Sequence, residues 1–308
     1  MSPWPSLTPA PSAGTPAAME PLVSTDWLAA RLGDVAVLDA SWHMDGRDAA
    51  AEFRARRVPG AQRFDIDAVA DRGSPLPHTA PSPETFAAAV AALGIGPATP
   101  VVIYDSRGIW SAPRAWWTFR LMGRRDVAVL DGGLPKWARE GRPVEGEDRG
   151  DLGPPGPPVA GGVSTPCNGG PRGDESPLAS LATADDVAAA LASGAAQVVD
   201  ARSRARFRGE AGEPRAGVRA GHMPGAASLP YGEVLREDGT MKDADGIRAA
   251  LAAEGVDPAR PVIATCGSGI TAAVLALALE RLGRTAALYD GSWAEWGGDP
   301  SRPVATGR

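Results

Sequence analysis

The chain has 308 residues, of which 44% are hydrophobic and 22% charged, with a formal net charge of −6. These proportions suit a soluble globular protein long enough for two cores, and they exclude a disordered chain. The acidic balance gives no footprint for nucleic acid or an anionic membrane, and two cysteines, Cys167 and Cys266, point to reduced thiols in a cytoplasmic setting rather than a disulfide framework.

Residues 1–19 open the chain with a Pro- and Ala-rich stretch that has no basic or long apolar segment, so they read as a disordered tail rather than a signal peptide. No run approaches the ~18 apolar residues of a membrane span. Residues 20–145 form the first folded unit. There "VAVLDAS" (35–41) precedes "RVPGA" (57–61), then "VVIYDS" (101–106), then "VAVLDGGLPKW" (127–137). Between the short β-branched runs, "SPETFAAAVAALG" (82–94) reads as a helix opened by a capping residue and closed by glycine.

Residues 146–177, rich in Gly, Pro, Ser and acidic residues, cannot build a core and predict a mobile linker that carries Cys167 as an incidental thiol. Residues 178–308 then repeat the first unit. "QVVDAR" (197–202) precedes "HMPGA" (222–226), a helix "DGIRAALAAEG" (245–255), "VIATCGS" (262–268) and "AALYDGSWAEW" (286–296). The pairs Asp39 and Asp200, Gly60 and Gly225, Asp105 and Cys266, and Trp137 and Trp296 recur at spacings of 159 to 165 residues. Such repetition marks a duplicated chain. Strands alternating with helices predict an α/β fold of two tandem domains, each a small parallel sheet flanked by helices on both faces.

The segment with most chemistry is "PVIATCGSGIT" (261–271), a short strand running through a glycine turn into the helix "AAVLALALERLG". Such a turn aims successive backbone N–H groups into one concavity at the positive end of the helix dipole. A cysteine at its mouth is favoured as the nucleophilic thiolate. Gly267 and Gly269 let the backbone curl round the sulfur, and the hydroxyls of Ser268 and Thr271 can donate to it. Most free cysteines are simply small buried hydrophobes, so the strand-loop-helix placement carries the weight. A cysteine phosphatase would close the loop with an arginine six positions on, where Ala272 stands.

The tandem halves, "CGSGIT", "GHMPGA" and "YDGSWAEW" resemble the 3-mercaptopyruvate sulfurtransferases of the rhodanese superfamily over roughly residues 20–300. The resemblance implies that Cys266 takes the sulfur of 3-mercaptopyruvate as a persulfide, releases pyruvate, and yields the sulfur to a thiol or cyanide, with a thioredoxin-like reductant among the acceptors. It also implies that only the second domain is catalytic, consistent with Asp105 at the first domain's equivalent position. Arg206 and Arg215 are implied to clamp the donor's carboxylate and carbonyl. Gly267, Gly269, Ile270 and Thr271 are implied to line its site. Asp67 and His78 are implied to reach across the cleft to form a relay with Ser268, and Trp110 to flank the pocket. Arg208 and Arg219 are expected to be solvated or structural. His222, in place of which the first copy has Arg57, is expected to bond a loop carbonyl.

Two other readings stay open. One is a thiosulfate:cyanide sulfurtransferase, whose relatives typically carry charges where Gly267 and Ser268 stand. The other is a non-catalytic persulfide carrier. Cysteine and histidine never cluster at metal-ligand spacings, and no dinucleotide glycine fingerprint is present, so neither metal nor organic cofactor is expected.

Overall fold

The structure, a computed structural model, describes residues 19–147 and 178–307. Cys167, and nearly all of the expected tail and linker, lie outside the described residues. The first half runs β1 (Leu22–Val23), α1 (Thr25–Ala29), β2 (Ala36–Asp39), α2 (Ala49–Ala55), β3 (Gln62–Arg63), α3 (Ile66–Val69), α4 (Pro83–Ala92), β4 (Val101–Tyr104), α5 (Ala112–Leu121), β5 (Val127–Leu130) and α6 (Gly133–Arg139). The second runs β6 (Ser180–Ala182), α7 (Ala184–Ser193), β7 (Gln197–Asp200), α8 (Arg204–Arg208), β8 (Ala227–Ser228), a 3-10 turn (Tyr231–Val234), α9 (Ala244–Ala253), β9 (Val262–Thr265), α10 (Ala272–Arg281), β10 (Ala287–Tyr289) and α11 (Ser292–Trp296).

Each half builds a five-stranded parallel sheet, ordered β1-β5-β4-β2-β3 and β6-β10-β9-β7-β8. The central strands, β4 and β9, are buried along their whole length, as parallel strands covered on both faces must be. The repeat extends to side-chain bonds. Trp137 Nε1 donates to the Pro143 carbonyl at 2.7 Å, and Trp296 Nε1 to the Pro303 carbonyl at 2.8 Å.

Helix starts follow local chemistry. The Ser82 hydroxyl accepts from the Thr85 N–H at 3.2 Å, with Pro83 opening α4, as its sequence suggested. In α9 the sequence reading placed the start at Asp245, and the structure corrects it. Asp243, in extended backbone, accepts from the Gly246 N–H at 2.9 Å, so the helix begins at Ala244 and Asp245 falls in its first turn.

Among the described residues, three apolar clusters hold the fold. The outer face of each sheet has its own, built around Trp137 in one half and Trp293 and Trp296 in the other. The inner faces merge into one cluster that includes Trp116, Trp117, Leu275 and Cys266. Helices α5 and α10 pack against each other there. This explains why α10 is apolar on every side from Ala272 to Leu279: its own sheet covers one face and α5 the other. No helix among the described residues is long and apolar enough to cross a membrane.

Candidate active site

Cys266 is the first residue beyond β9 and is 2% exposed. Its loop is held from outside by the start of α11. Trp293 N–H donates to the Cys266 carbonyl and Ala294 N–H to the Gly267 carbonyl, both at 2.9 Å, and Cys266 N–H donates to the Ser292 hydroxyl at 3.2 Å. Ser292 adopts a φ of 50°, unusual for a residue with a side chain, and is fixed by its own hydroxyl bond to the Tyr289 carbonyl at 2.7 Å.

The first half shows what such a loop binds. Asp105 stands just beyond β4, and its carboxylate accepts from four backbone N–H groups: Arg107 on one oxygen at 2.9 Å, and Trp110, Ser111 and Ala112 on the other at 2.8 to 2.9 Å. The amides are aimed at an anion, as a nest at a helix N-terminus should aim them. The second loop is one residue shorter, since α5 begins seven residues after Asp105 and α10 six after Cys266, so the counterparts of the Ser111 and Ala112 amides at the helix start are those of Thr271 and Ala272. No hydrogen bond drawn outside the helix ladder among the described residues uses either N–H group. The second loop thus leads from the central strand into a helix as the first does, with Cys266 where the first has the carboxylate of Asp105.

His78 comes from the other half and is buried at a φ of 61°. Its Nδ1 lies 2.6 Å from Asp67 Oδ1; because an ionised carboxylate only accepts, this nitrogen carries the proton. Trp42 donates its indole N–H to Asp67 Oδ2 at 3.0 Å and sets its ring edge-on to His78 at 4.7 Å. The His78 hydrogen bond holds the Asp67 carboxyl below its ordinary value against the opposing effect of burial. Nε2 faces Arg215 Nη2 at 3.4 Å across the cleft. Asp67 and His78 are thus brought together, whereas no hydrogen bond among the described residues joins His78 to Ser268.

Arg206 and Arg215 differ in their freedom. The Arg206 fork grips Glu213, with Nε at 3.2 Å from one oxygen and Nη2 on the other, and Glu213 also receives Arg202 Nη1 at 2.8 Å. Arg206 also lies along the loop, since a Cβ added at Gly267 would meet its Nη2 at 2.8 Å. Arg215 is half-buried. Burial pushes its guanidinium down from the ordinary value, and the nearby Cys266 opposes that shift. Arg215 therefore presents the less compensated positive charge beside the sulfur.

The tandem sheets, the cysteine loop and its carboxylate-filled counterpart agree with the comparison to known families, in which the rhodanese-like domain matches residues 24–140 and 183–299. The chain belongs to the rhodanese-like family. Human 3-mercaptopyruvate sulfurtransferase is 41% identical over 286 residues, covering 89% of this chain and 91% of that protein. Bovine thiosulfate sulfurtransferase is also 41% identical over 286 residues, with the same coverage. The crystal structure of SseA from Escherichia coli, described as a 3-mercaptopyruvate sulfotransferase, superposes with a TM-score of 0.72 at 38% identity, over 89% of this chain and 99% of that one. These rhodanese-like relatives transfer sulfur, and so does this chain.

Other sequence expectations divide. His222 Nδ1 bonds the Phe207 carbonyl at 2.8 Å and its ring stacks on Phe207, a structural role; Arg219 is likewise spent on backbone carbonyls. Trp110 sits in the Asp105 loop beneath Arg107, with its ring edge-on to Tyr231 of the second half at 4.9 Å, so it contributes to the boundary between the halves. Sequence reasoning missed Glu213, Arg114 and Asp290. Glu213 lies in "GEPR" between the two arginines, and Arg114 is a charge among the tryptophans of "APRAWWTFR"; both patterns were available as signals.

Proposed function

We propose that this rhodanese-like enzyme moves the sulfur of 3-mercaptopyruvate through a persulfide on Cys266 to a thiol or cyanide, releasing pyruvate. The thiolate attacks the donor sulfur and the carbon–sulfur bond breaks. Its electron pair passes to carbon as the enolate of pyruvate, which takes up the proton that the donor thiol carried. An acceptor then attacks the outer sulfur, and the electron pair of the S–S bond returns to Cys266. His78, with Nδ1 held by Asp67, is suited to carry the proton on Nε2, with Ser268 as a relay between it and the donor.

The observation that carries this reading is the placement of Cys266 at the mouth of a strand-to-helix loop with unbonded amides, together with Arg215, which meets His78 across the cleft. The cradle suits an anionic sulfur both as thiolate and as persulfide. Arg215, with Arg206, suits the carboxylate and keto group of the donor. Gly267, Gly269, Ile270 and Thr271 line the approach. A reducing compartment such as the cytoplasm suits a free thiol nucleophile, and a thioredoxin-like dithiol fits the acceptor chemistry.

The equal identity to bovine thiosulfate sulfurtransferase favours thiosulfate as the second reading. Two measurements decide. Incubation with 3-mercaptopyruvate and no acceptor should add the mass of one sulfur atom to the protein and none to Cys266→Ser. The kcat/KM for 3-mercaptopyruvate should exceed that for thiosulfate, and the reverse order would overturn the donor assignment.

A further inference from the structure

Arg114 is a deeply buried charge at the boundary between the halves. It projects from α5 of the first domain, is 1% exposed, and stacks its guanidinium over Trp117 at 4.8 Å. Its Nη1 lies 2.6 Å from Oδ1 of Asp290, which follows β10 of the second domain. Those two atoms have no aligned hydrogen bond, so the contact is one of charge. The Arg114 Nη2 donates to the main-chain carbonyl of His78. Asp290 completes the ring, its Oδ2 accepting from the Ala80 N–H at 2.6 Å.

The same guanidinium also abuts the cysteine loop. A Cβ added at Gly269 would lie 2.8 Å from Arg114 Nη1 and 3.1 Å from Asp290 Oδ1. One ion pair therefore touches the His78–Ala80 segment on one side and the Cys266 loop on the other. Stability alone is a poor account of it, because removing two charges from water costs about as much as their attraction returns. What the pair fixes is geometry: it holds His78, at its unfavourable φ of 61°, in a set relation to the loop that bears the sulfur.

We infer that Arg114 and Asp290 are positioning residues for sulfur transfer, an interdomain clamp that registers the His78 segment against the Cys266 loop. The inference rests on Cys266 as sulfur carrier and goes beyond it. The fold supplies its own control. Arg120 of α5 and Glu280 of α10 form a second interdomain ion pair at 2.5 Å, yet neither has a described bond to the His78 segment or the loop.

The test compares Arg114→Lys, Asp290→Asn and Glu280→Gln in the full chain. Two readouts are taken: kcat and KM for sulfur transfer, and backbone hydrogen exchange of the peptides spanning 78–81 and 266–273. Arg114→Lys and Asp290→Asn should each lower kcat on the order of 10²-fold, as expected for a displacement near 1 Å, with KM within about threefold. Exchange in both peptides should rise together. Glu280→Gln should leave kcat and both peptides near the parent while lowering the melting temperature. If Arg114→Lys fails to fold, the isosteric Asp290→Asn still decides. Asp290→Asn matching Glu280→Gln in kcat and exchange would overturn the clamp. Exchange needs no donor, so it answers even if 3-mercaptopyruvate proves not to be the substrate.

Discussion

Asp105 and Cys266 stand at the same point of two copies of one sheet, each the first residue past the central strand. In one copy a carboxylate built into the chain fills the amide cradle, and in the other a sulfur stands at its mouth. The first domain thus keeps the backbone design of an anion site and has closed it with its own anion. Meanwhile it lends Asp67, His78 and Arg114 to the other domain's cleft.

Filling the cradle makes Asp105 a structural anchor. Asp105→Ala would leave four N–H groups facing a cavity, and hydrogen bonds to an ionised group are each worth ~1.5 to 3 kcal/mol. The variant should lose at least about 3 kcal/mol in urea unfolding. Asp105→Asn, which still offers one carbonyl oxygen, should lose less. Equal stability of Asp105→Ala and the parent would show that the amides are satisfied elsewhere.

The two loop glycines should fail differently. Gly267 has ordinary backbone, and an added methyl meets only the flexible end of Arg206. Gly267→Ala should therefore keep its melting temperature and raise the donor KM by displacing that guanidinium. Gly269 adopts a φ of 80°, and an added Cβ would meet the buried Arg114 and the Asp290 carbonyl. Gly269→Ala should cost more than about 1 kcal/mol from the left-handed backbone alone, and its kcat should fall. Thermal melts set beside steady-state kinetics separate the two.

Because Glu213 already occupies the Arg206 fork, Arg215 should dominate donor recognition. Arg215→Lys replaces a fork with a point charge and should raise KM on the order of tenfold, equivalent to about 1.4 kcal/mol. Arg206→Lys should raise it less. A larger effect at Arg206 would mean that Glu213 releases it when the donor binds.

Much of this was legible in the sequence. Repeated anchors such as Asp39 and Asp200 revealed the duplication, and the β-branched runs gave parallel strands because burial on both faces leaves no alternation to confuse. Cys266 was marked by its glycines, since only a tight strand-to-helix turn needs them there. Partnerships between distant residues were not legible. Nothing local distinguishes an arginine that binds substrate from one held by Glu213, and the contact of Arg114 with Asp290 depends on how two domains dock. The contact of Trp110 with Tyr231 depends on that docking as well.

The Asp67–His78 pair should leave a mark on acid stability. The folded Asp67 carboxyl is held below its ordinary value of 3.8, first by the hydrogen bond from His78, with Trp42 and Arg63 assisting against burial. A proton therefore binds the unfolded chain more readily than the folded one at this site. The stabilisation is fully present above pH 3.8 and drains away as pH falls through the lower folded value. Asp67→Asn cannot gain that charge-dependent contribution. Its deficit relative to the parent should be largest near neutral pH, hold down to the region of pH 3.8, and close below it. Urea unfolding of both proteins across that range reads the difference directly. A deficit that stays constant into strong acid would mean that Asp67 stabilises through shape and neutral hydrogen bonds, with His78 gaining nothing from its charge.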